Sequence, residues 1–190
     1  MTLRAALPVA VKKAVWNIKY GLLKYQHSAA PINAIQYVCG HVNDDSCILE
    51  LGCGCGSLLS ALREAGSKSH YCGVDISRHA IDYARGYGDH RSAWVISDIE
   101  SFDSPFQWNA ILLIESVYYV DLQRLPLLLS RLRNMLTDDG FILVRIHDTD
   151  KHHEYFQALH RLAQPGARID PTMLSIKRSD LKFGPEPAES

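Results

Sequence analysis

The run Ile48-Leu49-Glu50-Leu51-Gly52-Cys53-Gly54-Cys55-Gly56 constrains this chain most, because an apolar strand ends there in three alternating glycines ahead of a helix. Glycines at 52, 54 and 56 permit backbone angles and close approaches that a Cβ would block, so a flat ligand can lie against the main chain. Leu58, Leu62 and Ala65 then share one helical face, Ser57 can cap that helix, and Gly66 stands where a left-handed C-terminal residue belongs. The dinucleotide fingerprint G-x-G-x-x-G would need its third glycine at position 57, where Ser57 stands, so a nicotinamide oxidoreductase fits poorly.

Short apolar segments and helical patterns alternate from there. Strands are expected over 48–51, 70–75, 94–97, 110–114 and 141–146, with helices over 57–65, 78–85 and 126–136. The unbroken runs Ile111–Ile114 and Phe141–Val144 suit central strands covered on both faces. Thr137-Asp138-Asp139-Gly140 reads as the turn between a helix and a strand, and Pro126 marks a helix that starts late or bends. This alternation implies an α/β, Rossmann-like fold: a mainly parallel, doubly wound sheet with helices on both faces. Ligands of such sheets sit beyond the carboxyl ends of the strands, which puts Gly52–Gly56, Asp75, Asp98, Glu115 and His147 on one rim. Beyond residue 151 a helix over 153–163 and a strand over 173–177, with Ala167–Ile169 as a second arm, leave room for an edge strand or a short hairpin. A reduced C-terminal sheet edge is therefore expected.

Upstream, residues 9–23 form an amphipathic pattern whose stripe Val11, Val15, Ile18 and Leu22 is expected to pack over the core as a lid. Pro31 can begin a second helix through Cys39, and Asn43-Asp44-Asp45 turns into the first strand. At 190 residues and 47% apolar the chain fits a single domain: a helical lid over 1–45, a core over 46–150, and a C-terminal helix with its edge strand or hairpin over 151–190. The net charge is −1, yet no Asp or Glu precedes Asp44, so the first 43 residues carry five positive charges and no negative ones. Near neutrality without a long basic stripe argues against nucleic acid as partner. No apolar run approaches the roughly 20 residues that span a bilayer, and no signal pattern is evident, so a cytoplasmic protein without stable membrane insertion is expected. Five cysteines without C-x-x-C spacing read as reduced thiols, Cys53 and Cys55 being small residues that suit a tight turn.

The G-x-G-x-G turn with Glu50 before it resembles the first motif of the class I S-adenosylmethionine-dependent methyltransferases, and further matches follow in order. Asp75 ends the second strand 19 residues past Gly56, Asp98 and Ile99 follow the third, and Glu115 follows the fourth, so the resemblance covers residues 46–147. It implies S-adenosyl-L-methionine as cofactor: the turn Gly52, Cys53, Gly54 and Gly56 on the methionine part, Asp75 with Ile76 at the ribose, Asp98 and Ile99 at the adenine, Glu115 near the reacting end, and Glu50 orienting the loop from beneath. The segment Glu115-Ser116-Val117-Tyr118-Tyr119 lacks the Asn/Asp-Pro-Pro-aromatic motif of nucleic-acid amino-methyltransferases. Over about a dozen residues it is similar to the nodulation-type N-methyltransferases.

These residues make a small-molecule methyl acceptor, methylated on O or N, the expected substrate. His147 is the candidate general base, with Glu115 and Tyr118 beside it. Tyr20, Tyr25 and Tyr119, with His27, are candidates to wall the acceptor pocket. Glu115, Asp148 and Asp150 offer oxygen ligands for Mg²⁺, but the metal-dependent pattern is not matched and no metal is expected. The competing reading is a catalytically silent, methyltransferase-like binding or scaffold subunit. An exposed sheet edge leaves a homodimer open.

Overall fold

The computed structural model describes residues 7–22, 29–163 and 168–181. Two helices, α1 (Val9–Gly21) and α2 (Ile32–His41), precede β1 (Cys47–Leu51). Then follow α3 (Ser57–Glu64), β2 (His70–Asp75), α4 (Arg78–Ala84), β3 (Ser92–Ile96), β4 (Trp108–Ile114), α5 (Leu125–Asn134) and β5 (Leu136–Arg145). The chain ends with α6 (His153–Leu162), β6 (Arg168–Asp170) and β7 (Met173–Lys177).

The seven strands form one sheet in the order β3-β2-β1-β4-β5-β7-β6. β1 to β5 pair in parallel, whereas β7 runs antiparallel to both β5 and β6. Alternate residues of the central strands feed two cores. Ile111 and Leu113 of β4 join Leu128, Leu129 and Leu132 of α5 and Tyr155 and Leu159 of α6. Ala110, Leu112 and Ile114 join Ile35 and Val38 of α2 and Leu58 and Leu62 of α3. Period-2 alternation between two apolar faces explains the unbroken apolar runs, since neither face meets water. The order reverses at β1 and β4, which opens a crevice at their carboxyl ends.

Several local expectations need correction. The stripe Val11, Val15, Ile18 and Leu22 faces outward, and α1 instead packs through Lys12, Trp16, Asn17 and Tyr20. Polar anchoring explains the reversal: Lys12 Nζ donates to Glu100 Oε1 at 3.0 Å and to the Tyr119 carbonyl at 3.0 Å, while Trp16 meets Tyr119 edge-on. Gly56, left-handed at φ 83°, takes the cap position of α3, leaving Ser57 as the first helical residue. Thr137–Gly140 is no separate turn but lies within β5, where the pairing slips from Trp108↔Leu136 to Ala110↔Phe141. Pro126 sits in the first turn of α5, where its missing N–H costs nothing. The C-terminal edge keeps both antiparallel strands. Its outer strand β6 is described over Arg168–Asp170, and Ala167 of the expected arm lies outside the described residues.

Gly66 behaves as expected. At φ 89° it donates to the Arg63 carbonyl, Ser67 donates to that of Leu62, and the two bonds close α3.

Candidate active site

One cavity of about 520 Å³ opens at the carboxyl ends of β1, β2, β4 and β5, beneath α1. Among the residues expected at a site, Glu50, Gly52, Cys53, Gly54, Asp75, Ile76, Asp98, Ile99, Glu115, Tyr118, Tyr119, Tyr20 and His147 all line it. Gly56 stands behind it, where a Cβ would meet Trp94 at 2.9 Å and Ala84 at 3.1 Å. Tyr25 and His27 lie outside the described residues.

The floor is the glycine turn. Gly52 and Cys53 both donate to the Val74 carbonyl, at 2.8 and 3.0 Å, which ties the turn to the end of β2. Gly52 also lies so close to the next strand end that a Cβ would sit 2.5 Å from the Ser116 Cβ, and its φ of 83° disfavours any side chain. Ser116 is fixed in turn by donating to the Leu51 carbonyl at 2.6 Å. The Glu50 carboxylate lies beneath the turn and accepts from the Tyr71 hydroxyl. Burial pushes the Glu50 carboxyl up to about 7, against the lowering effect of that hydroxyl.

Asp75 closes one side. Its Oδ2 accepts from Gly54 N at 3.0 Å and its Oδ1 from Ser77 N at 2.8 Å, so β2, the glycine turn and the start of α4 meet at one carboxylate. Burial raises it to about 6 even though these backbone donors favour the anion. Asp98, half-buried, is also raised by burial, with Lys12 opposing the rise. Cys53 and Cys55 border the same carboxylate. Burial drives the Cys53 thiol well above its ordinary range and the Cys55 thiol up to about 11, leaving both protonated and unreactive at neutral pH.

Glu115 forms the opposite wall with a left-handed backbone, φ 56°, unusual for a residue bearing a side chain. Its Oε1 pairs with Arg145, and its Oε2 accepts from the Tyr118 hydroxyl at 3.2 Å and from His147 N at 3.1 Å. Three donors hold this carboxylate, and such strain persists where surrounding structure over-determines it. His147 itself is exposed at the rim. Tyr118 is backed by the buried His152, whose ring stacks on it at 4.0 Å and 6°. The Asp148 carboxylate accepts from Lys151 N, the Asp150 backbone carbonyl meets the His153 ring, and among the described residues no group of three or more His, Cys, Asp or Glu is arranged to hold a metal ion.

Lys12, Trp16, Ser116 and Arg145 also line the cavity without having been singled out in the sequence. Lys12 and Trp16 lay hidden because the apolar stripe of α1 pointed to the wrong face. Arg145 carried a signal, since it ends an apolar strand beside His147 where a cation needs a partner.

A sheet of this order, with a glycine turn after β1 and carboxylates at neighbouring strand ends, defines a Rossmann-like ligand-binding protein. Residues 24–177 match the methyltransferase domain family, and the chain belongs to it. It is 30% identical over 116 residues to a malonyl-[acyl-carrier protein] O-methyltransferase of Acinetobacter baylyi, covering 58% of this chain and 42% of that protein. It is 23% identical over 124 residues to an (S)-tetrahydroprotoberberine N-methyltransferase of Eschscholzia californica, covering 62% and 34%. The chain thus spans less than half the length of these two curated relatives. The structure of the N-methyltransferase NodS from Bradyrhizobium japonicum WM9, in complex with S-adenosyl-L-homocysteine, shares the fold at a TM-score of 0.55 and 19% identity, over 69% of this chain and 76% of that one.

Proposed function

We propose that this chain is an S-adenosylmethionine-dependent methyltransferase that transfers a methyl group to an O or N atom of a small-molecule acceptor. The observation that carries the reading is the single cavity uniting the glycine turn with the acids that end β1 and β2 and that follow β3 and β4. Its volume suits a small-molecule site. The residues fit the cofactor chemically: an accessible glycine turn for the amino-acid end, the Asp75 carboxylate for two hydroxyls, and Asp98 with the apolar Ile99 for a purine. The names of the relatives, which include O- and N-methyltransferases, agree with this class.

When bound, the cofactor supplies a methyl group already activated on a sulfonium. The protein's task is then to align a nucleophile and exclude water. Trp16 and Tyr20 of α1 cover the cavity above the turn. Glu115, occupied by Arg145, Tyr118 and His147 N, acts as a positioning group that holds the Tyr118 hydroxyl at the wall. That leaves the His147 imidazole, at the open rim, to take a proton from an alcohol or amine acceptor. Tyr119 and Tyr118 form the acceptor side.

Calorimetric titration with S-adenosylmethionine, its demethylated product and NAD tests this first. Binding of the first two and not of NAD is expected; binding of NAD alone would overturn the assignment. With an acceptor in hand, His147→Ala should abolish most methyl transfer while leaving cofactor affinity within about twofold, general-base contributions being about 10²–10⁴-fold.

A further inference from the structure

The outward face of α1 is the largest departure from what an amphipathic helix normally does. Val11, Val15, Ile18 and Leu22 recur at spacings of four, three and four, which aligns them in one stripe, and they remain 42%, 36%, 51% and 80% exposed. The opposite face is committed to the protein: Lys12 reaches Glu100, Trp16 and Tyr20 line the cavity, and Asn17 Oδ1 accepts from Ser77 Oγ at 2.9 Å. The stripe therefore cannot turn inward without breaking a buried ion pair.

Charge narrows what covers it. No acidic residue occurs in α1 or anywhere before Asp44, while Lys13 and Lys19 stand on the helix. Lys19 lies over the Trp16 ring at 4.4 Å. The C-terminal end of α1 abuts the first turn of α4, where a Cβ on Gly21 would lie 3.0 Å from the His79 ring, and exposed Arg78 and His79 continue the basic border there. A second copy of so basic a helix would repel it. A stripe of four side chains on one convex helix is also far short of the roughly 20–30 residues a side of a stable protein interface. Lys13 falls on the far side of the helix from the stripe, but Lys19 borders it on one flank and Arg78 and His79 stand at its C-terminal end. An apolar helical line so bordered, with no acid on its own helix, matches an interfacial helix on an anionic surface.

We propose that the outer stripe of α1 docks reversibly on an anionic membrane surface. The helix lies in the plane of the interface, with Val11, Val15, Ile18 and Leu22 among the headgroups and acyl ends, and with Lys19 and Arg78 at its borders toward lipid phosphates. It does not span: no helix among the described residues is long and apolar enough to cross a membrane. Because the inner face of the same helix covers the cavity, docking places the site beside a lipid surface with α1 held down over it. This inference stands on α1 alone and does not depend on the reaction performed below it.

Vesicle sedimentation tests it. The protein should pellet with vesicles of equimolar phosphatidylglycerol and phosphatidylcholine, remain in solution with phosphatidylcholine alone, and be released by high salt. Ile18→Glu/Leu22→Glu, whose residues lie outside the cavity, should bind these vesicles at least about tenfold more weakly at an unchanged melting temperature. In the unmodified chain, amide exchange over residues 9–21 should slow when vesicles are added. Failure to bind the anionic vesicles, or binding that the double variant leaves unchanged, overturns the proposal. So would dimerisation seen by sedimentation velocity and abolished by the double variant, which assigns the stripe to a second copy. Binding of purified acyl carrier protein, lost in that variant while vesicles do not bind, would overturn it in favour of an acidic protein partner.

Discussion

Asp75, proposed above to hold the two ribose hydroxyls, ties the fold to the site at one side chain. In the free protein its carboxylate is spent on the backbone of Gly54 and Ser77, and burial raises it to about 6. Hydroxyl donors of a bound ribose favour the anion, so binding should release a proton and S-adenosylmethionine affinity should climb from pH 5 to 7, then level off. Calorimetry in buffers of differing ionisation enthalpy would detect that proton. Asp75→Ala removes charge-assisted bonds of roughly 1.5–3 kcal/mol and should weaken cofactor binding about 10- to 100-fold, provided the variant stays folded. Stability of the free protein should run the other way. Glu50 and Asp75 are both raised above their unfolded values, so the stabilisation from their protonated forms is full below about pH 4 and is lost as pH rises through 6 and 7. For Glu50 that loss is on the order of 3 kcal/mol. Urea unfolding at pH 5 and 7.5 should show a shallower pH dependence in Glu50→Gln than in the wild type. These carboxylates could be located in the sequence because each ends or follows an apolar strand at family spacing. Their protonation could not, because burial is set by Tyr71, Cys53 and the turn, which converge from different strands.

Elements of this protein are held at the site by short-range contacts that tolerate little change. Gly52→Ala would put a methyl 2.5 Å from the Ser116 Cβ at a positive φ, so both strain and crowding oppose it. We expect destabilisation of about 2–4 kcal/mol, read by denaturant unfolding, and loss of cofactor binding in the fraction that folds. α1 depends on Glu100, which pairs with both Lys12 and Arg124. Glu100→Gln should cost about 1–3 kcal/mol and speed amide exchange over residues 9–21 more than over β1 or β4. The existence of α1 was readable from its periodicity, but its orientation was not. Periodicity reports which residues share a face, and a neighbour with a matched charge decides which face turns inward. Thr137–Gly140 teaches the same lesson: Asp-Asp-Gly has turn chemistry, yet pairing with β4 on either side of it, at Leu136 and at Phe141, draws the strand through it.

The whole molecule is organised around β1 and β4, the strands at which the order reverses. Parallel strands and short apolar runs made that core legible, because a strand buried on both faces has little compositional freedom. The antiparallel edge was harder to read, since β6 has three residues and no strong pattern. Packing nevertheless integrates it: Met173, Leu174 and Ile176 of β7 are buried, and β7 pairs with β5 along five positions. Ile176→Ala should therefore cost about 2–5 kcal/mol in equilibrium unfolding, as a core truncation does, and not the few tenths expected of a frayed edge.

From its residues alone this chain declares a parallel α/β sheet, a glycine turn after the first strand, and the strand ends at which its acids stand, because local propensity and periodicity suffice for each. Which acids share a cavity, which of them burial pushes above the ordinary carboxylate range, that Arg145 occupies Glu115, and that α1 buries a lysine while showing water its valines depend on contacts between residues distant along the chain. Those contacts exist only once the sheet has closed its two cores and brought the strand ends to one rim.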